Sequence, residues 1–208
     1  HVYDAAYEEI SINETVIEGF ASILHIKGDS PATRQYASEM RLAFPHIYSV
    51  DIQQYVPFNK RDIFQQLQQN KGNTDFLIKD FSYEKERVFH EVDSIAAICP
   101  TLLDESSKPD TEMIMGLDIF AVPFLNKALL ASSRTDKTIA TRSFTLIEGS
   151  QDNFLFRSLK SYPDLDPDKA SNIRSLTVSI LVRTEQLLKL ANNKAPRAVT
   201  KLNYQNIA

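Results

Sequence analysis

This sequence predicts a mixed α/β (α+β) fold: a long N-terminal helix followed by an antiparallel sheet with helices packed against one face. Three observations carry the prediction. Residues 2–24 place apolar side chains at alternating steps of three and four and contain no proline, which is helical periodicity. Residues 47–56 and 176–182 alternate with the period of a strand. Between them, residues 111–149 change from period two to about 3.6 and back, so they read as a strand (113–117), a helix (119–132) and a second strand (138–148).

Composition sets the bounds. At 208 residues, 43% hydrophobic and 24% charged, the chain can bury a sizeable core. A net charge of -4 without a basic cluster argues against nucleic acid and against an anionic membrane face. The longest nearly apolar run, residues 95–103, contains Pro100 and is about half the length needed to span a bilayer. With His1 at its start and no signal peptide, the chain is expected to be an excised fragment. A single cysteine, Cys99, rules out an internal disulfide framework and reads as a small buried hydrophobe.

The N-terminal helix carries Tyr3, Ala6, Ile10, Asn13, Ile17, Phe20 and Leu24 on one seam, a three-heptad stripe with one polar position. That stripe either packs on the chain's own sheet or also pairs with its copy in a dimer, Asn13 fixing the register. Ser30 then caps a second helix, with Pro31 at its first position and Pro45 at its end. Residues 47–56 form the first strand, with Val50, Ile52, Gln54 and Val56 on one face. Residues 59–69 form a short helix with Ile63, Phe64 and Leu67 inward, and Lys71-Gly72-Asn73 turns the chain.

Further strands are expected at 75–81, 87–92 and 94–103, with a polar surface loop at 104–110. In the central unit Asp118 stands where a helix N-cap belongs. After Gly149 come a strand (153–160), a surface loop (162–168), the strand 176–182, a helix (184–190) and a last strand (198–206). This succession suggests a PAS-like module.

Residues 111–149 resemble the CHASE domain, the extracytoplasmic sensor module of cytokinin receptor kinases and of many bacterial histidine kinases and diguanylate cyclases. The matching parts are Gly116-Leu117-Asp118, then Ala128-Leu129-Leu130, the turn Thr135-Asp136, and residues 141–148 (TRSFTLIE). Upstream, Phe44-Pro45 and Arg61-Asp62-Ile63-Phe64 look like the family's strand and its R-x-x-F helix. The resemblance implies three parts: a dimerising helical stalk (1–44), a membrane-distal PAS-like sensing domain (45–150) and a second, smaller membrane-proximal PAS-like lobe (151–208), either reduced or cut short. It further implies a periplasmic fragment of an inner-membrane receptor with flanking transmembrane helices. Its dimer interface would be Ala6, Ile10, Asn13, Ile17 and Phe20.

A pocket of such a module would take an unknown small molecule between Ile119, Leu125, Thr141, Ile147, Phe154 and Phe156. Where plant cytokinin receptors hold the adenine ring with an aspartate, the ungapped spacing places Leu125. Leucine cannot accept a purine N–H, which argues against adenine-type ligands. A protein-binding or purely dimerising periplasmic module is the alternative.

Catalytic chemistry finds no footing. Gly19, Gly28, Gly72, Gly116 and Gly149 are too scattered for a phosphate loop. His90, Glu91 and Asp93 are the best metal-ligand cluster, but neighbours on a strand point to opposite faces, so neither metal nor cofactor is expected. His25, His46 and His90 lie in ordinary amphipathic patterns with no serine elbow or cysteine signature nearby. No catalytic residue is assigned, and any kinase or cyclase output domain is expected outside this chain.

Overall fold

The computed structural model describes residues 2–79, 97–98, 101–106, 115–145, 151–159 and 176–194. The strands expected at 87–92 and 198–206, the loop at 162–168, Cys99, the 90–93 cluster and Ile147 lie outside them.

Helix α1 (Val2–Lys27) is about 39 Å long at 1.5 Å per residue. Its Val16, Ile17, Phe20, Ala21 and Leu24 are buried. Helix α2 (Pro31–Ala43) begins as expected: the Ser30 side chain accepts from the Thr33 backbone N–H, and Pro31 occupies a position whose N–H needs no helical partner. The rings of Phe20 and Tyr36 stack across the two helices.

Strand β1 (Ile47–Gln54) follows, then the two-residue β2 (Val56–Pro57) and helix α3 (Arg61–Asn70). Phe64 of α3 is buried, whereas Ile63 and Leu67 are 62% and 53% exposed, so only one of the three residues expected inward is. Gln68 takes the inward position instead. Next come β3 (Ala97–Ile98) and β4 (Thr101–Ser106). Residues 104–106, expected in a surface loop, complete β4, because pairing with β1 gives their backbone groups partners.

The central unit differs from its expectation. Residues 115–118 are not a strand of the sheet; Leu117 makes one parallel bridge, to Lys79. Asp118 is a cap, but of a single 3-10 turn (Ile119–Ala121), since Pro123 can only open the α-helix that follows, α4 (Pro123–Thr135). That helix ends on Asp136 in the left-handed conformation, φ 61°. The strand expected at 138–148 is two short pieces, β5 (Ile139–Ala140) and β6 (Phe144–Thr145). Strands β7 (Gln151–Leu159) and β8 (Leu176–Arg183) and helix α5 (Thr184–Lys194) complete the described chain.

Among the described residues the main sheet has six strands in the order β4-β1-β8-β7-β5, with β6 also on β7, and all of these neighbours are antiparallel. The divisions at 44/45 and 150/151 do not follow the packing. Strands β7 and β8, assigned to a second lobe, are central: β8 pairs directly with β1 over Ile47–Gln54. The helices are not a detached stalk either, since Ile17, Phe20 and Leu24 share one core with Val50, Ile52, Val178 and Ile180.

Nor do the helices sit on one face only. Adjacent Ile139 and Ala140 point to opposite faces of β5. Ala140 packs on the core that holds α1, α2 and Leu187 of α5. Ile139 packs on a second cluster formed by α4 and the preceding turn: Ile119, Val122, Leu125, Ala128 and Leu129. The sheet is therefore covered on both sides.

Candidate functional site

Strand register places a polar row on the face turned toward α4. Directly paired residues share a face. The pairs Ile139–Phe156, Phe156–Ser179, Ser179–Asp51 and Asp51–Asp104 therefore stand in one line across five strands. Ser49, Gln53 and Thr177 flank it on the same face, and all of Ser49, Asp51, Gln53, Thr177 and Ser179 are at most 4% exposed.

A chain of donors runs through the row. The Gln53 amide donates to Ser179 Oγ at 2.7 Å, and Ser179 Oγ donates to Asp51 Oδ2 at 3.4 Å. Ser49 Oγ donates to the same carboxylate oxygen at 3.1 Å. The amide oxygen of Gln53 is buried with no hydrogen-bond partner among the described residues. Tyr55, just past β1, meets the ring of Phe120 edge-on with centroids 6.1 Å apart.

The segment ahead of α4 is held from two sides. Lys79 N–H donates to Gly116 O at 3.0 Å, Asp118 N–H donates to Lys79 O at 2.8 Å, and Phe120 N–H donates to the Asp118 side chain at 3.0 Å. Helix α3 fixes the other strand of this contact: Gln65 Oε1 accepts from Ile78 N–H and the Gln69 amide donates to Phe76 O, both at 2.9 Å. Burial holds the Lys79 ammonium below the usual lysine range.

Of the residues expected to line a pocket, Ile119 and Leu125 are both buried in the α4 cluster, which reaches β5 through Ile139. By register Phe156 belongs to the polar row and Phe154 to the same face, two residues along β7. Thr141 is buried, and its carbonyl accepts from the Asn153 amide at 3.0 Å. Ile147 lies outside the described residues.

Of the expected dimer contacts, Asn13, Ile17 and Phe20 are fully buried within the chain's own core. Asn13 Oδ1 meets His46 Nε2 at 2.8 Å, so the polar break in the helical seam has a partner on the run into β1. Ile10 is half-buried, and the side chain of Ala6 is outside the described set.

Periodicity missed the row itself. Ser49, Asp51 and Gln53 alternate with Val50 and Ile52 and look like a solvated face. The available signal was that β8 repeats the pattern with Thr177 and Ser179, so two strands carry small polar residues on matching positions.

Helices on both faces of an antiparallel sheet, with a polar row between sheet and cover, define a mixed helix-and-sheet module. The chain belongs to the CHASE domain family, whose model matches residues 31–200. CHASE domains are extracytoplasmic sensor modules of signalling receptors, not catalysts. A search of curated proteins gave no significant match. Among the described residues no group of three or more His, Cys, Asp or Glu is placed to hold a metal ion, and no helix is long and apolar enough to cross a membrane.

Proposed function

We propose that this chain is the periplasmic sensor domain of a bacterial transmembrane receptor, a histidine kinase or diguanylate cyclase, and that it binds a small molecule against the α4-facing side of the sheet. The carrying observation is the buried row Ser179–Asp51 with its flanking Ser49 and Gln53, because apolar surroundings with a few placed polar groups are what a ligand site requires. Ile119 and Leu125 supply its apolar part, with Thr141 beside them as a further buried polar group.

Helix α1 lies on the reverse of the same strands, so occupancy reaches it through β1 and β8. The receptor acts as a homodimer, whose flanking transmembrane helices carry the signal. Since Asn13, Ile17 and Phe20 are occupied inside the chain, the second copy meets other faces of α1.

The test is thermal unfolding of the purified chain against a broad metabolite library. A ligand at a hundred times its dissociation constant adds about 2.7 kcal/mol, a shift of roughly 5–11 °C for a chain of this size. A library in which no compound shifts unfolding counts against the reading.

A second reading, a protein-binding module, has its own observation. Ile63 and Leu67 stand one turn apart on α3 and are exposed, as is Leu77 at 57%. Substituting Ile63 and Leu67 by serine separates the two readings: receptor signalling that is lost while ligand-induced stabilisation persists assigns the patch to a partner.

A further inference from the structure

We infer that the ligand of this site is recognised through uncharged N–H groups: a flat molecule carrying a carboxamide or urea, whose donors meet the side-chain oxygens of Gln53 and Asn126 beside the Tyr55–Phe120 ring pair. The inference rests on the sensing role proposed above and names the ligand's chemical class.

Two side-chain amides come to this place, one from the sheet and one from the helix that covers it. Gln53 on β1 is 1% exposed; its amide nitrogen donates to Ser179 Oγ at 2.7 Å, and its oxygen is buried with no hydrogen-bond partner among the described residues. Asn126 on α4 repeats the arrangement. Its amide nitrogen donates to Phe120 O at 3.4 Å, and its oxygen too is buried without a hydrogen-bond partner among the described residues. The rings tie the two amides together. Phe120, whose carbonyl holds Asn126, meets the ring of Tyr55 with centroids 6.1 Å apart. Tyr55 stands two residues past Gln53, the repeat that returns a strand side chain to the same face.

Both amides have spent a donor inside the protein and kept an acceptor. A buried acceptor without a donor is costly, so two of them flanking one ring pair mark a place for donors brought from outside. The kind of donor follows from what is present. A carboxylate or phosphate would set its oxygens against two carbonyl dipoles, which repel it. A hydroxyl supplies one hydrogen but brings lone pairs that ask for a donor in return. The N–H of an amide or urea donates from a nitrogen that accepts nothing, and it places no charge in the buried site. The rings of Tyr55 and Phe120, inclined at 66°, give a flat group an aromatic wall beside these oxygens.

The test uses three matched series built on the same aromatic rings: carboxamides and ureas, the corresponding methyl esters, and the corresponding carboxylates. Melting-temperature shifts and calorimetric titrations are recorded for the full chain, for Gln53→Met and for Asn126→Leu. Asn126 is half-buried on a helix that leucine suits, so this second variant keeps the fold if the first does not. The expected result is saturable stabilisation by one or more carboxamides or ureas, none by the esters or carboxylates, and about a tenfold loss of affinity for each hydrogen bond removed. Esters that bind as well as their amides overturn the assignment, as does amide binding that neither variant weakens. Silence across the carboxamides and ureas overturns it too; the broad metabolite screen then decides separately whether the chain senses any small molecule.

Discussion

Replacing Gly116 by alanine gives a stability test whose magnitude follows from the backbone alone. Gly116 has φ +81°, a conformation that costs an L-residue about 1–2 kcal/mol. A Cβ built there collides with the carbonyl oxygen of Leu77, a backbone atom that cannot swing aside as a side chain would. Relief requires parting the two segments joined by Lys79 N–H to Gly116 O and Asp118 N–H to Lys79 O. At about 0.5–1.5 kcal/mol for each bond, strain and lost bonds together come to about 2–5 kcal/mol, or roughly 4–20 °C in melting temperature for a chain of this size.

Gly72 is the internal control. It too has positive φ, +106°, but an added Cβ meets nothing within 4 Å. Gly72→Ala therefore reports strain alone, about 1–2 kcal/mol. Urea unfolding of both variants at equal slope gives the difference directly. Gly116→Ala should be the more destabilised by at least about 1 kcal/mol. Equal losses would show that the approach of residues 77–79 to 116–118 contributes nothing, and the argument that this contact positions Asp118 and α4 would fail.

Three further outcomes follow from the same contacts. Asn13→Ala removes the buried bond to His46 Nε2 and should cost about 1–3 kcal/mol in urea unfolding, well above the effect expected of an exposed seam position. Ser30→Ala removes the α2 cap and should cost about 1 kcal/mol by the same measurement. Burial raises the Tyr36 hydroxyl above its ordinary value of 10.0, so the folded state holds that proton more tightly than the unfolded chain. Its contribution is complete below pH 10 and is lost as pH climbs through the raised value; in a pH series of melting temperatures, Tyr36→Phe should flatten the alkaline decline relative to the parent.

Local chemistry was legible where local forces decide. The Ser30-Pro31 start of α2, the long α1, the strands β7 and β8 and the Asp118 cap all depend on residues within one turn or one strand of each other. Strand neighbours are set by contacts distant in sequence. Nothing within residues 151–183 announces that β8 lies beside β1, and the second lobe expected there disappears once Ile52 and Val178 pair. Alternation likewise shows that two faces of a strand differ without showing whether the second face is covered. Val50 and Ile52 identified the side against α1, but alternation could not show that Asp51 and Gln53 on the other side are buried as well. On α3 the inward turn was misjudged because Gln65 and Gln69, needed to hold residues 76–78, share the helix with Ile63 and Leu67.

The burial of both faces is also what makes a signal route physically plain. Along β1 and β8 successive side chains alternate between the polar row and the core under α1: Ser49, Asp51, Gln53 and Ser179 on one side, Val50, Ile52, Val178 and Ile180 on the other. No residue separates the two sets except the strand itself, and a close-packed interior transmits displacement instead of absorbing it. A ligand seated against this row, as proposed above, would therefore change the twist that α1 rests on. Two discrete arrangements are still needed, and converting a 1:99 balance into 99:1 takes roughly 5.5 kcal/mol of differential affinity.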